Sequence, residues 1–154
     1  MVKPSELAPE TSAIMNKLVT NYLDPECFKV IEGGPDVSKA VGEEDFDVVF
    51  FTGSTEKGKL VAQAAAKHLT PCILELGGKC PVVVSNSAKA NLDFAVHKTV
   101  TSKFGNSGQT CIAPDYALVH ESIHDDYVAK MKEFVEKHYS DARNHNETGR
   151  VISQ

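Results

Sequence analysis

At 154 residues the chain is long enough for one domain with a hydrophobic core. Apolar residues make up 42% and charged residues 24%, as in ordinary globular proteins, and the net charge of −5 argues against binding to nucleic acid or to an anionic membrane surface. The four cysteines (Cys27, Cys72, Cys80, Cys111) form no CxxC pair and no zinc spacing, so free thiols in a reducing, cytoplasmic compartment are expected and no metal site is. No stretch is apolar enough to span a membrane, and the N-terminus lacks the apolar centre of a secretory signal.

Met1-Val2 reads as the end of a strand, with Lys3 to Glu6 as the loop after it. Pro9 suits the first turn of a helix, and Glu10 suits its positive end. Ile14, Leu18, Val19 and Tyr22 follow at helical spacing until Asp24-Pro25 stops the helix. Phe28 to Ile31 reads as a short strand closed by Gly33-Gly34, and Pro35-Asp36 opens a brief helix through Val37, Ala40 and Val41. Val48 to Phe51 is continuously apolar, the pattern of a strand buried on both faces. Thr52 to Thr55 turns the chain into a helix that uses Leu60, Val61, Ala64, Ala65 and His68. Cys72 to Leu76 is a further strand, ended by Gly77-Gly78. Strands alternating with helices predict right-handed crossovers and a parallel α/β sheet.

The character changes after Lys79, and a boundary is expected between residues 77 and 80. Pro81 to Val84 reads as a strand, Leu92 to Lys103 as a helix and Tyr116 to Val119 as a strand. Ser122 to His138 is amphipathic, with Ile123, Tyr127, Val128, Met131, Phe134 and Val135 on one side. Asp141 to Glu147 reads as a polar loop and Val151-Ile152 as a last strand stub.

Four stretches offer chemistry. Phe104 to Ala113 presents Cys111 behind Gly105, Gly108 and small polar residues; such a thiol is either a nucleophile or a structural cysteine at a turn. Gly53-Ser54-Thr55-Glu56-Lys57-Gly58 lies between a strand and a helix. It reads either as a phosphate-binding helix start or as a turn with a hydroxyl cap. It matches neither GxGxxG nor a P-loop. Lys3 and Glu6 follow the first strand stub, where they either meet a ribose or are an exposed lysine and a helix-start glutamate. Glu75 interrupts an apolar strand, either partly buried with the raised pKa of a general base or on a wet face. The six histidines show no metal pattern and read as surface or packing residues.

Taken together, Lys3-Pro4-Ser5-Glu6, the segment Phe51 to Gly58, Leu74-Glu75-Leu76-Gly77-Gly78-Lys79 and Phe104 to Ala113 resemble, in this order, the motifs of the aldehyde dehydrogenase superfamily. Ala113-Pro114-Asp115-Tyr116 looks most like the class 3 and fatty aldehyde dehydrogenase branch. The resemblance implies a truncated aldehyde dehydrogenase fold. Residues 1–78 would be the C-terminal part of a Rossmann-like dinucleotide-binding domain, and 79–154 the N-terminal part of the α/β catalytic domain. It implies oxidation of an aldehyde to a carboxylic acid with NAD or NADP, Cys111 as nucleophile and Glu75 as general base. It places Gly53 to Gly58 at the pyrophosphate, Lys3 and Glu6 at the adenosine ribose, and Leu76 and Gly77 beside the nicotinamide. Full-length members are expected to be homo-oligomers, and a membrane anchor beyond Gln154 stays open. Cys80 departs from the family, which usually has a small polar residue there. The chain covers about a third of a typical member. A fragment of low stability and little activity is therefore expected, lacking the oxyanion asparagine upstream and the ribose-binding glutamate downstream. The alternatives are a non-catalytic dinucleotide- or protein-binding fragment and a cofactor-free thiol esterase.

Overall fold

The computed structural model describes residues 1–139 and 149–152. The chain divides into two compact units, Met1–Leu76 and Gly77–Gln154. The expected polar loop Asp141 to Glu147 and His145 lie outside the described residues.

The first unit begins with Val2, which forms a single parallel bridge to Val30. The strand expected over Phe28 to Ile31 is reduced to that bridge. Two backbone bonds make it, from Val2 N–H to the Lys29 carbonyl and from Ile31 N–H to the Val2 carbonyl. Helix α1 (Pro9–Tyr22) starts with proline in its first turn, where the missing N–H costs no hydrogen bond. Its apolar stripe does not face inward as the spacing predicts. Ser12, Met15 and Val19 turn inward, whereas Ile14, Leu18 and Tyr22 are exposed. The Ser12 hydroxyl donates to the carbonyls of Ser5 and Ala8, which satisfies it despite burial. Helix α2 (Pro35–Gly42) again carries proline at its start.

Strand β1 (Val49–Gly53), helix α3 (Thr55–Ala65) and strand β2 (Cys72–Leu76) form a strand–helix–strand unit. β1 and β2 pair in parallel, with Phe50 opposite Ile73, Thr52 opposite Glu75 and Gly53 opposite Leu76. Burial alternates along both strands, so the two-sided burial expected of Val48 to Phe51 is not found. Phe50 is 65% exposed and Ile73 52% exposed, because only one face of the pair carries a helix of this unit. α3 turns Gly58, Val61 and Ala65 inward, and Leu60, one position away from that face, is exposed.

In the second unit, β3 (Cys80–Val84) and β4 (Pro114–Val119) also pair in parallel, with Cys80 opposite Pro114 and a register shift before Pro81. Proline has no N–H for the ladder, which suits it to such an irregular strand start. Helices α4 (Leu92–Phe104) and α5 (His124–Tyr139) cover the pair. Their contact builds the core from Val84, Leu92, Val96, Val100, Ile123 and Tyr127. The buried Tyr127 hydroxyl donates to Thr99 Oγ1 at 2.8 Å, and the Thr99 hydroxyl donates to the Ala95 carbonyl. Met131, Phe134 and Val135 line the same side of α5, while Val128 is exposed, against expectation. Val151 and Ile152 are exposed and in no strand, so the predicted terminal stub is not formed.

Candidate active site

The Cys111 loop is built by its backbone. After α4, Asn106, Ser107 and Gly108 adopt φ of 51°, 56° and 74° in succession. The left-handed region is unfavourable for residues with a Cβ, asparagine least so. At Gly108 a Cβ would stand 3.1 Å from the Lys103 carbonyl oxygen. Side chains hold the turn. Asn106 Nδ2 donates to the Gln109 carbonyl, and Gln109 Nε2 donates back to the Asn106 carbonyl. The Gln109 amide also donates to the Arg150 carbonyl at 3.1 Å and accepts from Ile152 N–H at 2.9 Å. The Ser107 hydroxyl donates to the Gly149 carbonyl. Gln109 therefore clips residues 149–152 to the loop. Sequence reasoning assigned it no role, although a polar amide between glycine and cysteine was the available signal.

The next turn is closed by Ala113 N–H donating to the Thr110 carbonyl at 2.9 Å, which puts Cys111 and Ile112 at its apex. Both are exposed. β4 starts immediately after, and Lys79 Nζ pairs with Asp115 at 3.1 Å beside it. The Cys80 thiol donates to the carbonyl of Cys111 itself, with sulfur and oxygen 3.1 Å apart.

The first unit holds the remaining residues. Ser54 caps α3: its hydroxyl accepts from Lys57 N–H at 3.3 Å, and its carbonyl accepts from Gly58 N–H. With those two amides engaged, the N–H groups of Thr55 and Glu56 are the ones without a partner among the described residues. The stretch is thus a hydroxyl-capped turn that leaves two amides at the positive end of a helix. Gly58 is buried, and a Cβ on it would lie 2.6 Å from Leu76 Cδ2. Its role here is close helix–strand approach. Gly53 is likewise confined, with the Phe51 ring 2.6 Å from where a Cβ would be. The two amides at the start of α3 fit a dinucleotide phosphate in the donors they offer.

Lys3 and Glu6 are already partners. Lys3 Nζ lies 2.9 Å from Glu6 Oε2 and 2.7 Å from the Pro4 carbonyl. The lysine hydrogen bond holds the Glu6 carboxyl below the usual carboxylate range. Glu75 stands on the exposed face of β2, opposite Thr52. Of the two readings of this residue, the structure has the wet face and not partial burial, because strand alternation places Glu75 on the same face as Ile73 and away from Leu74 and Leu76. Leu76 packs on Gly58, and Gly77 has open space around it. His97 stands edge-on to Phe134 with centroids 5.5 Å apart, and His120 Nδ1 accepts from Ser122 N–H. No cluster of metal-ligating side chains occurs among the described residues.

Two parallel strand pairs with intervening helices define an α/β protein with a phosphate-compatible strand-to-helix turn and an exposed cysteine at a loop apex. The chain belongs to the aldehyde dehydrogenase family, whose model matches residues 1–154. The mouse dimeric NADP-preferring aldehyde dehydrogenase is 42% identical over 99% of this chain and 34% of its own length. Arabidopsis aldehyde dehydrogenase family 3 member H1 is 44% identical over 90% of this chain and 28% of its own. Among solved structures, the substrate-bound Staphylococcus aureus AldH superposes with a TM-score of 0.88 at 39% identity, covering 98% of this chain and 33% of that one. The class 3 resemblance and the α/β fold both hold in these matches, and the chain spans about a third of the length of these relatives.

Proposed function

We propose that this chain carries the nucleophile and part of the dinucleotide site of an NAD- or NADP-dependent aldehyde dehydrogenase that converts an aldehyde to a carboxylic acid. The observation that supports it most is Cys111 at the apex of a closed, solvent-open turn, within a family match over the whole chain. A nicotinamide dinucleotide, when bound, supplies the hydride acceptor. Thr55 and Glu56 amides at the start of α3 would receive its phosphates. The Lys3–Glu6 pair would present its ionised carboxylate to a ribose hydroxyl, and Leu76 and Gly77 the nicotinamide side. The Cys111 thiolate adds to the aldehyde carbon to form a thiohemiacetal, and after oxidation it holds the acyl group as a thioester. Glu75, exposed on β2, would take a proton from the water that releases the acid, a role typically contributing about 10²–10⁴-fold.

Competitive alkylation of the native chain tests this reading. Cys111 should react with iodoacetamide faster than Cys27, Cys72 and Cys80, read by mass spectrometry of the labelled peptides. Cys27 is also exposed, so accessibility alone predicts equal rates at these two sites. Equality would favour a non-catalytic fragment.

A further inference from the structure

We propose that Cys80 and Cys111 form a reversible disulfide, a modification site that takes the apical thiol out of reach when peroxide is present. The inference goes beyond the aldehyde reading, since it needs only that the Cys111 thiol be accessible.

Two independent observations place these residues together. The strand register sets Cys80 opposite Pro114, the residue into which the Thr110–Ala113 turn runs. The Cys80 sulfur already touches the Cys111 carbonyl oxygen at 3.1 Å. A carbonyl oxygen lies about 2.4 Å from its own Cα, so the Cys80 sulfur stands no more than about 5.5 Å from the Cα of Cys111. From that distance, rotation of the Cys111 side chain about χ1 with a small shift of the apical turn brings the two sulfurs together. Both are free thiols; Cys111 is exposed and Cys80 half-buried. The reagent therefore meets Cys111 first, and Cys80 is the sheltered resolving thiol. Cys72, by contrast, lies in the other unit with its sulfur directed to the Thr70 carbonyl.

The step balances with hydrogen peroxide as oxidant. The Cys111 thiolate attacks one peroxide oxygen; an S–O bond forms, the O–O bond breaks, and the departing hydroxide takes a proton as water. Cys111 is then a sulfenic acid. The Cys80 sulfur attacks the Cys111 sulfur; the S–S bond forms, the S–O bond breaks, and hydroxide leaves as water with the Cys80 proton. Two thiols lose two electrons, and one peroxide becomes two waters. A dithiol reductant reverses the bridge by exchange.

The test treats the native 154-residue chain with hydrogen peroxide, blocks remaining thiols, and maps cross-linked peptides by mass spectrometry. The expected product is a Cys80–Cys111 bridge that dithiothreitol removes and that dominates over every pairing with Cys27 or Cys72. In Cys80→Ser and Cys80→Ala the bridge is lost, and Cys111 should pass to sulfinic acid roughly tenfold faster than in the parent, since a neighbouring thiol acts at high effective concentration. The same oxidation in urea should scramble the pairing. A native chain that pairs without preference overturns the proposal, as does equal sulfinic acid formation in parent and variants. Rapid alkylation of Cys111 with no bridge also overturns it, while leaving the aldehyde reading intact.

Discussion

Lys3 and Glu6 illustrate how a single contact constrains a functional reading. The pair is local, three residues apart, and the lysine hydrogen bond is the main reason that the Glu6 carboxyl sits below its ordinary range. A group whose folded value is lowered adds stability above its unfolded value and loses it as pH falls through the lowered one. Glu6 is exposed, so the stability involved is small and screened by salt. The chemical consequence is larger: Glu6 stays ionised, and able to accept a hydroxyl, well into mild acid. Lys3→Met should move the Glu6 titration midpoint upward, followed by carboxyl carbon NMR across the acid range. A midpoint that does not move would mean the two side chains are not paired in solution. At the core, Tyr127→Phe removes the donor to Thr99 but leaves the Thr99 hydroxyl bonded to Ala95. With no orphaned group, the loss should be only about 0.5–1.5 kcal/mol by urea unfolding. Ile123→Ala, which opens a void among Val96, Val100 and Tyr127, should cost roughly 2–5 kcal/mol in the same measurement.

Elements were legible where one local rule decided them. Pro9 and Pro35 mark the starts of α1 and α2, and Ser54 caps α3, because each signal acts within a single turn. Facing was less legible, because it depends on what lies opposite. In α3 the inward face is set by Gly58 and Ala65, seven residues apart, so Leu60 falls outside it despite its apolarity. In α5 Tyr127 faces inward and Val128, the next residue, cannot. The segment Phe28 to Ile31 has strand composition but only Val2 as a partner, and one bridge is not a strand. The site shows the same division. The positions of Cys111 and Ser54 follow from glycine and hydroxyl signals nearby, whereas the Gln109 clip joins residues more than forty positions apart, so the local amide signal could not name its partners. Gly58 tests the helix–strand contact directly. Gly58→Val drives carbon into Leu76, an overpacking expected to cost about 1–3 kcal/mol, and Leu76→Ala in the same chain should recover most of it. Additive losses in the double variant would place the strain elsewhere.

The two units differ in how they hold together. The second closes a core of six buried apolar side chains between α4, α5 and its strands. The first buries only Ala65 among its apolar side chains, with Ser12, Gly58 and Thr70 as its other buried residues. Its larger apolar groups, Phe50, Ile73, Ile14, Leu18 and Tyr22, stand in solvent. Phe50 and Ile73 are register partners, so their side chains form one continuous patch on the outer face of β1 and β2. A contiguous apolar patch on a sheet face drives association, because each side chain covered recovers about 25 cal/mol per Å² of apolar area removed from water. The chain should therefore self-associate through this face at micromolar concentration and bind the dye ANS. Phe50→Lys with Ile73→Thr puts charge and hydroxyl on the patch without touching the α3 side of the sheet. Sedimentation velocity should then show a monomer, with ANS fluorescence lowered and the unfolding midpoint of the second unit unchanged. If the doubly substituted chain associates as strongly as the parent, the outer face of β1 and β2 is not what holds copies together. The exposed stripe of α1, tested by Leu18→Lys, becomes the surface responsible.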